Sequence, residues 1–298
     1  MEYRKLGKTG LEVSALGYGA VEIGRSAVGQ ELVDELLNSA IDSGLNVIDT
    51  AAAYWTSEEL IGNAIQGRRR EVVLMTKCGS LDGFTRDDWS QQGVLDTITE
   101  SLKRLKTDYL DVAQLHSCDS EVLRRGEAIE GLIRAQERGY TRFTGYSGDG
   151  DDALFAIGLD FFDTLQTSIS IADQEAIELT IPKAVSGGLG IIAKRPIANA
   201  VWRNESRPEN PYHRDYWDRL EDLKYPFLDL PLEESIGIAL RFTLSVEGVA
   251  TAIVGTTKPG RWQQNANYID EGPLADEEIG AIRDRWRETA KGDWTGRV

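Results

Sequence analysis

The sequence predicts an α/β fold, a (β/α)8 barrel formed as a single domain over residues 1–298. Short apolar runs alternate with longer stretches of helical periodicity, which is typical of a parallel sheet covered by helices. Eight such units in 298 residues fit a closed barrel better than an open doubly wound sheet. No low-complexity segment or linker indicates a second domain.

The predicted strands are short apolar runs, and the stretches between them repeat apolar residues at helical spacing. The strands cover residues 15–20, 46–50, 72–77, 110–116, 142–147, 164–168, 190–195 and 251–256. The clearest helical stretches cover residues 29–43, 91–105, 120–138 and 232–246.

Two segments lie outside this repeat. At the N-terminus, two short runs flank Lys8, Thr9 and Gly10, which predicts a β-hairpin that caps the barrel floor. The connection after strand seven, residues 196–231, is long and rich in proline, asparagine and aromatic residues. It is either a lid over the site or a segment that packs on the barrel, and the sequence leaves both open.

The composition argues against several classes of protein. No apolar run approaches the ~18 residues of a membrane span, and the N-terminal segment lacks the apolar core of a secretory signal, so we expect a cytoplasmic protein. A net charge of −16 disfavours nucleic acids and anionic membranes as partners. Two cysteines and two histidines have no metal-ligand spacing, so we expect no metal. Nothing in the composition indicates the oligomeric state.

Three consecutive predicted strands end in ionisable side chains. Strand two ends at Asp49, with three alanines before Tyr54; strand three ends at Lys77 and strand four at His116. Strand residues alternate between faces, and barrels carry their active sites at the carboxyl ends of the strands. Each residue alone has an ordinary structural explanation, but four together favour a functional site.

These four residue types suit the protonation of a carbonyl oxygen. A free phenol has a pKa of ~10, and a nearby lysine ammonium lowers it. A carboxylate keeps that lysine charged and oriented. The imidazole can polarise the carbonyl, so the set fits a general acid acting while something else attacks the carbon.

Motifs spread over nearly the whole chain resemble those of the aldo-keto reductases. They are "YRKLGKTGLEVSALGYGA", "GLNVIDTAAAY", "MTKCG", "LDVAQLH", "GIIAKRP" and "VGTTKPGRWQQN". The resemblance implies that Tyr54 is the general acid/base, Lys77 lowers its pKa, Asp49 pairs with Lys77, and His116 orients the substrate carbonyl. It implies an enzyme that reduces small aldehydes or ketones with NADPH, reversibly, with sugars or small aldehydes as candidate substrates.

The hydride must come from a cofactor, because the four residues have no redox group. The chain lacks the G-x-G-x-x-G fingerprint, but hydroxyls, a lysine and an arginine follow strand eight at the start of a helix, which predicts an anion site. The resemblance assigns this segment to NADP(H), with Arg261 at the 2′-phosphate and Gln264 where the family usually has an acid. The predicted set is Gly255, Thr256, Thr257, Lys258, Arg261, Gln264 and Asn265.

The nicotinamide side departs from the family pattern. Ser147 and Gln166 match the positions that hold the carboxamide, but residues 147–149 read Ser-Gly-Asp where the family usually has Asn after the serine. Lys194 and Arg195 stand where the family often stacks an aromatic ring on the nicotinamide. A guanidinium can also stack on a planar ring, and an extra cation here favours an anionic substrate as a hypothesis.

Two other functions stay open at this point. One is a regulatory subunit that binds NADPH with little turnover. The other is a barrel lyase or isomerase that forms a Schiff base on Lys77, which would leave Asp49 and Arg261 without roles.

Two further groups of residues say less about function, namely the aromatic residues near the pocket and the two cysteines. Trp55, Trp89, the aromatic residues of 196–231 and Trp294 are expected to shape the pocket without identifying the substrate. Cys78 and Cys118 are either redox-sensitive thiols or buried packing residues, and the second is favoured.

Overall fold

The protein is described here by a computed structural model, which covers residues 1–26 and 28–296. In chain order the strands are β1 (Tyr3–Lys5), β2 (Glu12–Ser14), β3 (Leu16–Gly19), β4 (Val47–Asp49), β5 (Val73–Cys78), β6 (Ser80–Leu81), β7 (Arg86–Asp87), β8 (Leu110–His116), β9 (Thr141–Ser147), β10 (Thr164–Ser168), β11 (Gly190–Lys194) and β12 (Val249–Val254).

The α-helices that accompany these strands are α1 (Val21–Arg25), α2 (Gln30–Asp42), α3 (Ser57–Ala64), α4 (Gln91–Arg104), α5 (Ser120–Arg125), α6 (Glu127–Glu137), α7 (Gly150–Gly158), α8 (Glu175–Leu179), α9 (Ile181–Ser186), α10 (Pro211–Leu223), α11 (Leu232–Ser245), α12 (Arg261–Asp270) and α13 (Asp276–Thr289). Within the described residues, none of them combines the length and the apolar character that a membrane crossing requires.

Eight parallel strands close into the predicted barrel, in the order β3, β4, β5, β8, β9, β10, β11, β12 and back to β3. Strand alternation divides the core into two shells, because successive side chains point to opposite faces. Ile48 and Leu74 point outward and pack with the helices. The inward-facing side chains Val47, Val73, Met75, Val112 and Ile192 fill the lower barrel.

The N-terminal hairpin of β1 and β2 covers the barrel floor, as predicted. Leu6, in the turn between them, is fully buried among the inward-facing side chains. The Lys8 amide donates to the carbonyl of Gly188, 2.7 Å away, just before β11. The hairpin therefore closes the amino-terminal end of the barrel and leaves the carboxyl-terminal end for a site.

The helical stretch predicted over residues 120–138 differs from the structure in being two helices. α5 ends at Arg125, and α6 begins at Glu127. Gly126 between them has φ 80°, a left-handed conformation that glycine adopts without the steric cost of a Cβ.

The connection over residues 196–231 is largely structured and mostly packs on the barrel. It contains a 3-10 helix (Ala198–Arg203), α10 and a second 3-10 helix (Pro226–Asp229). Tyr216 and Tyr225 are buried in a hydrophobic cluster that also holds Trp286 and Trp294. Its exposed aromatic residue Tyr212 instead lies at the barrel mouth beside Arg195, so the segment packs on the barrel and also borders the mouth.

Both cysteines are free and buried. Burial raises the pKa of Cys118 to about 12 and moves that of Cys78 in the same direction. A thiol with a raised pKa is a poor nucleophile near neutral pH, which favours packing over redox sensing.

Candidate active site

The loop after β4 turns back tightly over the barrel mouth. The Ala52 amide donates to the Lys77 carbonyl at 3.0 Å, and the Tyr54 amide donates to Ala51 at 3.0 Å. Ala51 and Ala53 are buried, so only small side chains fit beneath the turn. The loop thereby brings the Tyr54 ring over the carboxyl ends of β4 and β5.

Lys77 connects Asp49 to Tyr54. Its Nζ lies 2.5 Å from Asp49 Oδ2, 2.9 Å from the Thr50 carbonyl and 3.4 Å from the Tyr54 hydroxyl. Lys77 and Asp49 are each only 1% exposed. A buried charge this far from water requires its partner, so the pair is held as a unit.

The electrostatics of this group follow from burial opposed by pairing. Burial lowers the pKa of Lys77, but the charges of Asp49 and Tyr54 and their hydrogen bonds to Lys77 together outweigh burial, so the net pKa is raised and the ammonium stays charged. Burial and the charge of Asp49 raise the pKa of the Tyr54 phenol, and Lys77 lowers it. Burial is the largest of these effects, so the net pKa is raised. The phenol is therefore protonated near neutral pH, and Lys77 is the group that stabilises its phenolate.

His116 faces the same space from β8. Its ring lies edge-on to Tyr54, with centroids 5.6 Å apart, and to Phe84, with centroids 5.2 Å apart. Burial, reinforced by Lys77, Lys194 and Arg195, holds the pKa of His116 well below its usual value. The imidazole is therefore neutral and can donate one hydrogen bond.

Two glutamine amides converge on Asp49. Gln114 Nε2 donates to Asp49 Oδ1 at 3.1 Å, and Gln166 Nε2 donates to the same oxygen at 2.8 Å. Ser147 Oγ donates to Gln166 Oε1 at 3.2 Å. Asp49 therefore has donors on both oxygens, which satisfies the buried carboxylate and fixes its orientation.

A second buried charge group lies beside the first, at the carboxyl ends of β9, β10 and β11. Lys194 Nζ lies 2.9 Å from Asp149 Oδ2, and the guanidinium of Arg195 lies 3.9 Å from it. Arg195 also donates to Tyr212 at 2.6 Å and to Ser168 at 2.7 Å. Burial raises the pKa of Asp149, but the two cations outweigh it and the net pKa is lowered.

A cavity of about 570 Å³ runs from Tyr54 to the start of α12. It is lined mainly by the ends of β3, β11 and β12, by the segment over residues 196–203 and by helices α11 and α12. Its basic side chains are Lys194, Arg195, Arg203, Lys258 and Arg261, against the acidic Glu22 and Asp49. A protein of net charge −16 therefore has a locally basic cavity, as an anionic ligand requires.

The segment after β12 lies at the far end of this cavity. Gly255, Thr256, Thr257, Lys258, Arg261 and Asn265 line it. Thr256 Oγ1 accepts from the Lys258 amide at 3.0 Å, which shapes the turn into α12. Asn265 is 2% exposed, and its buried Oδ1 has no hydrogen-bond partner among the described residues. That oxygen is an acceptor available to a ligand.

The structure does not bring every predicted residue to the cavity. Gln264 is exposed on α12 and is absent from the lining. Ser147 lies behind Gln166 rather than on the cavity surface. Trp89 packs on the outer core and Trp294 on Trp286.

Sequence reasoning missed the aromatic side chain of Phe84 at the mouth. Phe84 lies on the short excursion between β6 and β7, with its ring 5.9 Å from that of Tyr54, and it is 50% exposed. Trp55 contacts it edge-on, with centroids 6.5 Å apart. Neither contact follows from a periodic pattern, although Trp55 was predicted near the pocket.

Comparisons with known proteins agree with this geometry. Residues 15–287 match the aldo/keto reductase family. The chain is 26% identical to an uncharacterized oxidoreductase of Bacillus subtilis, YqkF, over 97% of both proteins. It is 28% identical to the L-galactose dehydrogenase of Arabidopsis thaliana, over 91% of this chain and 89% of that protein. Among solved structures it is similar to the holo form of aldo-keto reductase AKR11C1 from Bacillus halodurans, with a TM-score of 0.82, 25% identity and 99% of each chain covered.

Proposed function

The chain belongs to the aldo-keto reductase family of oxidoreductases, and on that premise we propose that it is an NADPH-dependent enzyme that reversibly reduces a small aldehyde or ketone. One contact supports the proposal most: the ammonium of Lys77 lies between Asp49, 2.5 Å away, and the Tyr54 hydroxyl, 3.4 Å away. This is the arrangement that a phenol needs to exchange a proton near neutral pH.

In the direction of reduction, Tyr54 donates its hydroxyl proton to the substrate oxygen. The charge of Lys77 stabilises the phenolate that remains, and Asp49 keeps Lys77 in place. His116, neutral at the same mouth, donates a hydrogen bond to the carbonyl oxygen and orients it. Bound NADPH would supply the hydride to the carbonyl carbon.

The basic cavity supports NADP(H) as the cofactor. Lys258 and Arg261 lie at the start of α12, where a helix N-terminus and two cations suit a phosphate. The unpartnered Oδ1 of Asn265 nearby suits an amino group such as that of adenine. Gln166 faces the opposite end of the cavity, close to Tyr54, where the reacting ring is needed.

A Schiff base on Lys77 has less support. Its formation needs a neutral amine, whereas the net pKa of Lys77 is raised beside Asp49. The Lys77 ammonium also donates hydrogen bonds to oxygen atoms of Asp49 and Thr50.

A cytoplasmic location is also part of the proposal, because the free, buried cysteines fit a reducing compartment.

An anionic substrate remains a hypothesis, now centred on Arg195. Lys194 is paired with Asp149 at 2.9 Å, so much of its charge is offset. Arg195 lies on the cavity wall with Tyr212. Aldehydes that carry a carboxylate should show a higher kcat/KM than neutral aldehydes of equal size, and equal values would remove the hypothesis.

Titrations of NADPH and NADH, followed by tryptophan fluorescence, test the cofactor first. The purified protein is then assayed with a panel of carbonyl compounds by recording the absorbance of the reduced nicotinamide. The panel includes aldoses, because one relative is an L-galactose dehydrogenase. Tight NADPH binding with turnover would support the reductase. Binding without turnover would favour the regulatory subunit, and no binding of either nucleotide would contradict the proposal.

Two variants assign the roles. Tyr54→Phe should lower turnover by at least 10²-fold while changing the Kd for NADPH less than about twofold, because the phenol acts only on the substrate.

Arg261→Ala should weaken the binding of NADPH about tenfold or more and the binding of NADH much less. Equal losses for the two nucleotides would count against a 2′-phosphate contact.

A further inference from the structure

Gln114 is a fully buried polar residue on the inner face of the barrel. It lies in the middle of β8, between the inward-facing Val112 and His116. Strand pairing sets it directly beside Lys77. The amide therefore lies within the barrel, under the mouth of the candidate active site.

The side chain of Gln114 makes one contact that offsets its burial. Its Nε2 donates to Asp49 Oδ1 at 3.1 Å, whereas its Oε1 has no hydrogen-bond partner among the described residues. An unsatisfied buried carbonyl costs free energy. A leucine here would avoid that cost, so the residue is not explained by packing.

The second amide on Asp49 has a competing task. Gln166 donates to the same oxygen, but its Oε1 accepts from Ser147 and its side chain lines the cofactor cavity. A cofactor bound in this cavity would lie against that amide. Gln114 is absent from the cavity lining, so its bond to Asp49 is the one that a bound cofactor leaves undisturbed.

We propose that Gln114 is a positioning residue, which holds Asp49 Oδ1 from beneath and thereby keeps Lys77 directed at the Tyr54 hydroxyl. This role rests on the proposed function, since it assigns Tyr54 as the proton donor. Gln114 does not line the cavity that the proposed function assigns to the cofactor and the substrate.

The consequence for Tyr54 has a definite sign. The groups that face its hydroxyl are Lys77 from β5, Asp49 from β4, His116 from β8 and Tyr212 from α10. Asp49 raises the pKa of the phenol and Lys77 lowers it. Loss of the Gln114 donor leaves the charge of Asp49 less offset and Lys77 less fixed, so both changes raise the pKa of Tyr54.

The test uses 19F NMR of the full chain labelled with 3-fluorotyrosine, because fluorine lowers the phenol pKa toward the range in which proteins stay folded. The Tyr54 signal is identified by its loss in Tyr54→Phe. Gln114→Leu should raise the Tyr54 titration midpoint by about 0.5–1 unit, a threefold to tenfold loss of phenolate at a given pH. The matched control is Thr164→Val, which removes another buried oxygen without a partner, also from a barrel strand.

An unchanged midpoint in Gln114→Leu, or an equal shift in Thr164→Val, would overturn the positioning role. If Gln114→Leu does not fold, Gln114→Met replaces it, and failure of both while Thr164→Val folds would assign Gln114 to stability and also overturn the proposal. The NMR midpoint needs no turnover. A shift without any carbonyl reduction would therefore sustain the role of Gln114 while contradicting the reductase.

Discussion

Asp149 and Lys194 form an ion pair between two segments that depart from the family pattern. Asp149 lies two residues after Ser147, where the segment reads Ser-Gly-Asp, and Lys194 stands with Arg195 where the family often has an aromatic residue. The charged atoms of Asp149 and Lys194 lie 2.9 Å apart, and the guanidinium of Arg195 lies 3.9 Å from the same carboxylate. Loss of Asp149 would remove the counter-charge from two buried cations, which costs several kcal/mol.

Asp173 is a buried carboxylate whose Oδ1 accepts no hydrogen bond from the described residues. It accepts from the Tyr216 hydroxyl at 3.0 Å, and Arg219 lies 3.7 Å away. Burial, with a smaller contribution from Asp149, raises the pKa of Asp173 to about 7. Since this exceeds the unfolded value of ~3.9, the folded state binds more protons between these two pH values.

The contribution of Asp173 to stability should therefore fall as the pH rises from about 4 to 7. Between pH 4.5 and pH 8, the wild type should lose about 3 kcal/mol in free energy of unfolding relative to Asp173→Asn. Urea denaturation at both pH values measures this difference. A pH-independent difference between the wild type and Asp173→Asn would contradict the raised pKa.

At the level of elements, the site depends on short segments that pack against each other. The loop that carries Tyr54 lies against α1, and the excursion that carries Phe84 has left-handed backbone at Asp82, Gly83 and Phe84. The barrel strands provide a rigid frame, while these segments decide where the two rings lie.

Gly24 in α1 sets the distance between that helix and the Tyr54 loop. A Cβ at this position would lie 2.1 Å from the Tyr54 carbonyl oxygen and 3.0 Å from Ser57 Cβ. Gly24→Ala should therefore displace the loop, lower kcat at least tenfold and cost about 1–3 kcal/mol in stability. Turnover and thermal unfolding measure the two effects.

Gly280→Ala is the matched control for that prediction, because a Cβ there meets no atom within 4 Å and the position lies inside α13. It should leave kcat unchanged and raise stability slightly, by up to about 1 kcal/mol. Wild-type kcat in Gly24→Ala would show that the helix and loop separate without moving Tyr54.

Across the whole molecule, a large negative charge surrounds a basic cavity. The net charge is −16 and the pI is about 4.7. Far from the pI, like charges on the surface repel one another and destabilise the compact state. The cations of the cavity oppose this only locally.

Added salt should therefore stabilise the protein by screening this repulsion. Raising NaCl from 0.02 to 0.2 M at pH 8 should increase Tm by about 2–4 °C. The same addition near pH 5 serves as the control, since there the net charge is small and the gain should nearly vanish. Differential scanning calorimetry measures both, and an equal gain at the two pH values would point to a different effect of salt.

The sequence by itself determined the barrel, its eight strands, the floor hairpin and the strand-end positions of Asp49, Lys77 and His116. These follow from local periodicity and from where each strand ends, and both are properties of contiguous residues. Gly126 was also visible in the sequence, but helical periodicity continues on both sides of it and does not reveal the break.

The tertiary structure alone decided which side chains meet across the barrel. The bond from Gln114 to Asp49, the pair of Asp149 with Lys194 and the packing of Phe84 on His116 join residues far apart in the chain. Such contacts depend on strand register, barrel closure and side-chain rotamers together. Periodicity along the chain specifies which face a residue takes, but not its partner across a closed barrel.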